Sequence, residues 1–93
     1  MKTVWKYTLD VLSETKLRVP AGARTLHVGA QEDVVCVWLI VDTEMSLVPR
    51  WYRLFGTGHA LPEGFYDGTF GHHVGTAMLH GGAIVLHAFE VSP

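Results

Sequence analysis

Val34–Val41, VVCVWLIV, is the stretch on which the reading of the fold turns. Its apolar residues do not alternate with polar ones, so it has no wet face. The run is short for a helix and rich in β-branched side chains, which lose rotamer freedom in a helix and pack well on a pleated surface. A helical reading of the octet is the weaker alternative. It reads as a central strand covered on both faces, by the domain itself and by a candidate second subunit.

Outward from this octet the period is two. Trp5, Tyr7 and Leu9 alternate with Lys6, Thr8 and Asp10; Leu17 and Val19 alternate with Lys16 and Arg18; Leu26 and Val28 flank His27. Each segment predicts a strand with one solvated face. Pro20–Ala23 reads as a turn, Asp42–Pro49 as a polar connection, Arg50–Phe55 as a strand and Leu61–Gly64 as a loop. Phe65–Phe70 reads as a short strand, and DVLSE, Asp10–Glu14, as one weak helical turn. His73–His80 and Ala83–Val91 flank Gly81-Gly82, a pair suited to a type I′ hairpin, which needs positive φ at both central positions. The expected architecture is all-β: a single compact domain over residues 1–93, with about seven or eight mostly antiparallel strands in a small sandwich or barrel and a C-terminal hairpin.

Composition narrows the function classes. With 48% apolar and 17% charged residues the chain is not a disordered tail, and so much apolar surface on a small domain predicts a homo-oligomer. The net charge is −2 and the basic residues form no run, which argues against nucleic acid, whose binders carry a basic stripe. No apolar run approaches the ~20 residues of a membrane helix, and the first residues do not read as a secretory signal. One cysteine and no disulfide framework point to a reducing compartment, so the expected location is cytoplasmic.

Six histidines raise the question of a metal. With Gly81-Gly82 as the turn, Thr76 faces His87 and His73 faces Glu90, so His72, His80 and His87 share one face and His73 the other. His80 and His87 then lie about 13 Å apart along the ladder at ~3.3 Å per residue, too far for ligands ~2 Å from a common metal. His73 and Glu90 read as a cross-strand ion pair and His87 as a half-buried, hydrogen-bonded side chain. No metal site and no cofactor are expected. Cys36 sits among valines, which keep a thiol inert, and no G-x-S-x-G is present, so an enzyme is not expected.

The candidate ligand-binding residues centre on RLFGTGH, Arg53–His59. No helix can follow this loop, which excludes a helix-capped phosphate site. A backbone nest remains, with Gly56 and Gly58 exposing amides, Thr57 a hydroxyl, His59 a ring N–H and Arg53 a guanidinium. The plainer alternative is a tight turn in which both glycines supply positive φ. Gly68 and Thr69 repeat the Gly-Thr pairing and form a candidate second wall. Trp51 beside Arg53 offers a stacking surface for a planar ligand, or packs under a neighbouring strand.

Six segments together resemble a group of small uncharacterised proteins encoded by phages and prophages: Lys2–Tyr7, Pro20–Val28, Trp38–Asp42, Arg53–His59, Tyr66–Thr69 and Ile84–Glu90. The resemblance implies a phage-derived accessory protein acting in the host cytoplasm; the G-H-H-V-G segment around His72 and His73 departs from the group. Three functions follow as expectations. The first is a non-enzymatic protein that binds a host defence protein or sequesters a nucleotide-like signal. The second is an assembly protein that self-associates through its apolar strand. The third is a small metal- or acid/base-dependent enzyme.

Overall fold

The computed structural model describes residues 1–92. The alternating segments become seven strands: β1 (Lys2–Thr8), β2 (Thr15–Pro20), β3 (Arg24–Gln31), β4 (Val34–Asp42), β5 (Leu47–Gly56), β6 (Gly71–Leu79) and β7 (Ile84–Val91). They form two antiparallel sheets, one of order β1-β4-β3 and one of order β2-β5-β7-β6. Of the two architectures expected, the sandwich is the one formed.

The octet lies where its composition requires. In β4, Val35, Val37, Leu39 and Val41 point into the core and meet Leu17 and Val19 of β2, Tyr52 of β5, Ala77 and Leu79 of β6 and Ala88 of β7. Burying one such aliphatic side chain contributes about 1.5–3 kcal/mol. The other face of β4 is only partly covered by its own chain: Cys36 is buried, whereas Ile40 and Trp38, whose ring lies 5.6 Å from that of His27, are half-buried. Because β4 is flanked by β1 and β3, it has no free edge for strand pairing with another copy.

The sheets approach each other closely where β3 meets β6. A Cβ on Gly75 would stand 2.6 Å from Cβ of Val28, so only glycine allows the contact. Beside it, β6 carries a bulge: His73 pairs with Phe89 and Gly75 with Ala88, leaving Val74 as the extra residue. On the inner side of the sheet, Arg50 Nε and Nη2 donate to Glu90 Oε2 and Oε1 at 2.6 and 2.8 Å, and Nη1 donates to the Ala23 carbonyl.

Several local expectations are corrected. Asp10–Glu14 forms no helical turn; Asp10 Oδ1 accepts the Leu12 N–H at 2.8 Å and holds the segment as an Asx turn. Phe65–Phe70 is not a strand, since Gly64 and Gly68 take φ of 86° and 80° and Phe65 is drawn into a small second core. The connection after β4 is shorter than expected, because β5 begins at Leu47 and includes Pro49. Pro49 is tolerated because β7 pairs only from Trp51 onward, so the strand's second side is free there. In the C-terminal hairpin both glycines take positive φ (67° and 95°) and the Ala83 N–H donates to the His80 carbonyl at 3.2 Å, but His80 is also left-handed and the connection closes as one 3-10 turn.

Two predictions follow from the interior. The Tyr52 and Thr25 hydroxyls are buried with no partner in hydrogen-bonding geometry, and burial pushes the Tyr52 phenol upward. Tyr52→Phe removes a buried hydroxyl that approaches Thr25 and Arg50 but makes no well-formed hydrogen bond, so the urea midpoint should change little. Glu90→Gln should cost about 2–4 kcal/mol, somewhat below a fully buried pair because both side chains keep some exposure.

The carboxyls of Asp10, Asp42 and Asp67 are all held below the ordinary 3.8, chiefly by the N–H groups of Leu12, Glu44 and Thr69 respectively. A carboxyl whose folded pKa is depressed stabilises the fold above its unfolded value, and that contribution disappears as pH falls through the folded one. The urea midpoint should therefore hold steady above about pH 5 and decline below about pH 4.

Candidate functional site

The loop Thr57–Phe70 crosses the outer face of the four-stranded sheet and seats Phe65 against Phe55 of β5 and Phe89 of β7. The three rings meet at centroid distances of 5.5–5.7 Å. Edge-to-face contacts of this kind are favourable and rigid. Gly71 is required beneath this cluster, because a Cβ there would reach 2.8 Å from the Phe65 ring.

The loop's first turn leaves a cavity of about 220 Å³ over Phe55 and Phe89, walled by Gly56–His59, Leu61, His73 and His87. The turn itself is simple: the His59 N–H donates to the Gly56 carbonyl at 3.1 Å, and Gly58 takes φ 86°. That spends one of the amides a nest would need. The two glycines have different roles, and only Gly58 supplies positive φ. Gly56 makes room, since a Cβ there would lie 2.9 Å from Cε1 of the His59 ring.

Four side chains along the wall form one hydrogen-bonded row. Thr57 Oγ1 lies 2.8 Å from His87 Nε2, His87 Nδ1 lies 3.1 Å from Thr76 Oγ1, and Thr76 Oγ1 lies 3.1 Å from His73 Nε2. Thr76 stands opposite His87, as the hairpin register predicts. His73 joins the row because the bulge at Val74 turns it to their side. It packs edge-on against Phe89 at 5.5 Å instead of pairing with Glu90, which is taken by Arg50. A one-residue bulge changes which face the flanking side chain occupies.

A hydroxyl has one proton to give, so the row runs in one sense at a time. In one sense Thr57 donates to His87, His87 to Thr76, and Thr76 to His73. In the reverse sense His73 donates to Thr76, Thr76 to His87, and His87 to Thr57, which frees the Thr57 O–H for the cavity. A protonated His87 donates both ways and frees it too. The Thr57–His87 distance suits a nucleophile and base, but the group that orients His87 is a hydroxyl, not the carboxylate that would stabilise an imidazolium.

The expected site residues divide. Gly56, Thr57, Gly58 and His59 come together at the cavity. Arg53 stands at its flank, with its guanidinium 4.9 Å from the Phe55 ring centroid, and borders a separate depression with Val11, Leu12 and Glu14. Trp51 lies further along β5 under the Lys16 ammonium, 5.8 Å from its centroid. Gly68 and Thr69 are exposed in an Asx turn closed on Asp67 and do not line the cavity. Sequence reasoning missed His73, His87, Phe55 and Phe89 as its walls; the Thr76–His87 register was the signal that pointed there. Among the described residues no three His, Cys, Asp or Glu side chains are grouped to hold a metal ion.

Gly56→Ala should displace the His59 ring while leaving the fold intact, because the neighbour that must give way is a loop side chain. The His59 imidazole resonances should shift and the unfolding free energy from urea titration should fall by about 1 kcal/mol or less.

No curated protein and no solved structure matches this chain. One family model matches it from end to end, over residues 1–93, and on that match the chain belongs to the family described as a domain of unknown function (DUF7352).

Proposed function

We propose that this protein is a non-enzymatic binding module whose cavity receives one planar, hydrogen-bonding group of a nucleotide-like ligand. The observation that carries this reading is the pairing of an aromatic floor, Phe55 and Phe89, with a wall of hydroxyl and imidazole groups from three separate elements. A flat heterocycle gains from both: stacking on the floor and edge-on hydrogen bonds to Thr57, His59 or His73. About 220 Å³ is small beside the ~300–1,000 Å³ of drug-sized sites, so the cavity suits one ring, with the remainder of the ligand outside. Arg53, beside Phe55, is the cation within reach of a phosphate. In the phage-derived setting that the sequence resemblance implies, sequestering a host nucleotide signal is the role such a site serves.

Self-association is the second reading. It is favoured by the free edge of β1, where Val4 and Trp5 are 46% and 39% exposed. Native mass spectrometry at micromolar concentration separates oligomer from monomer.

The ligand reading is tested by titrating the protein with adenosine 5′-monophosphate and with a cyclic dinucleotide while recording amide and imidazole NMR shifts. Saturable shifts should concentrate at Gly56–His59, His73 and His87. Thr57→Val should weaken binding about tenfold, the worth of roughly one hydrogen bond. Shifts centred elsewhere, or none at millimolar nucleotide, would reject the reading.

A further inference from the structure

A second concavity, sharing no lining residue with the histidine cavity, opens at one end of the sandwich. Its floor is the core itself, through Leu9, Val35 and Leu79, and its volume is about 510 Å³. Val11, Val34 and Ile84 form the walls, each more than 40% exposed. A mouth that leads from solvent into aliphatic core is an incompletely filled end.

Both lips are held in place. On one, His80 N–H donates to Asp33 Oδ1 at 3.0 Å and His80 Nδ1 lies 3.2 Å from Asp33 Oδ2, so the β6–β7 connection is clasped to the β3–β4 turn. Glu32, Asp33 and His80 take φ of 52°, 59° and 51°, and among the described residues they are the only non-glycines in the left-handed region. Glu32 and Asp33 are the two central residues of the hairpin that joins Gln31 to Val34, a turn that needs positive φ at both positions. On the other lip the Asx turn of Asp10 holds the segment that presents Val11.

The charge around the mouth is predominantly acidic. The two lips carry Asp10, Glu14, Glu32 and Asp33, four of the nine acidic residues in the chain. Asp10 and Asp33 are engaged with their own loops, whereas Glu14 and Glu32 are exposed and have no ionic partner among the described residues. The cations nearby are Lys6, whose Nζ donates to Gln31 Oε1 at 2.6 Å beside Glu32, and Arg53, which shares the adjoining depression with Val11, Leu12 and Glu14; together they are outnumbered by the four carboxylates.

We propose that this mouth docks a basic segment of another protein, which inserts an aliphatic side chain between Val34, Ile84 and Val11 while its lysines or arginines meet Glu14 and Glu32. Charge complementarity selects this occupant. A second copy placed mouth to mouth would set these carboxylates against themselves, and an anionic membrane would be repelled.

Fluorescence anisotropy of labelled hexapeptides tests the proposal on the intact chain. KRLLRK should bind, with affinity falling as salt rises from about 50 to about 300 mM. KRSSRK, lacking the anchor, and EELLEE, with reversed charge, should bind at least about tenfold more weakly. Ile84→Lys on one wall and Val11→Lys on the other should each weaken KRLLRK about tenfold or more, with unchanged far-UV circular dichroism as the control for folding. Glu14→Gln combined with Glu32→Gln should lower affinity several-fold and flatten the salt dependence.

Equal binding of EELLEE, indifference to both lysine variants, or no binding of KRLLRK at millimolar concentration would overturn the proposal. So would saturable binding of decanoate in place of the peptide, which would make the mouth a small-molecule site. Thr57→Val should leave KRLLRK binding intact, so failure here and failure of the nucleotide reading are distinct results.

Discussion

The approach of Gly75 to Val28 is the constraint from which the functional face follows. β3 and β6 lie at corresponding sides of their two sheets, and the sandwich draws them together at a point where no Cβ fits. Next to that point β6 takes up an extra residue, Val74, and the strand before the bulge is rotated relative to the strand after it. Gly75 faces the core, while His73 and Thr76 share the outer side with His87. Close sheet packing and the polar row on the opposite side are therefore two consequences of one local geometry.

The outer face of the four-stranded sheet is divided in function by the loop that crosses it. Phe65 seals part of the face with Phe55 and Phe89, and the result is a rigid aromatic patch. Between that patch and the Gly56–His59 turn the cover is incomplete, and the row from Thr57 to His73 lines the opening. A row of alternating hydroxyls and imidazoles keeps its three internal hydrogen bonds in either sense while Thr57 switches between donor and acceptor toward the cavity, so a ligand that accepts from Thr57 and one that donates to it are both accommodated by reversing the row. The aliphatic mouth at the sandwich end has the opposite character. Its walls are mainly aliphatic, its lining Asp33 and His80 are spent on each other, and selectivity there comes from the free carboxylates of its lips.

Much of the architecture was legible because period-two patterning reports directly on burial. The all-β class, the central position of β4, the glycine turn and the Thr76–His87 register were all readable from spacing alone. The failures have specific causes. Phe65–Phe70 has aromatics at both ends like a short strand, but positive φ at Gly64 and Gly68 bends it away from any ladder. Pro49 reads as a strand breaker, yet it sits where one side of β5 has no neighbour. His73 lies on the opposite face from the one that an unbulged ladder predicts, because a single extra residue reverses the parity. The second Gly-Thr pair resembles the first in letters but is held in a turn of its own by Asp67.

By itself, then, the sequence determined which residues alternate, which run is central, and which glycine loop follows the Arg50–Phe55 strand, because these depend on local patterning and backbone chemistry. Tertiary structure alone decided that His73 joins Thr76 and His87, that Phe65 closes the floor from a distant loop, and that Asp33 clasps His80 across the mouth. Each depends on a contact between segments far apart in the chain or on a bulge that the facing sheet makes necessary. No local pattern encodes such a contact, because its energy exists only when both partners are already in place.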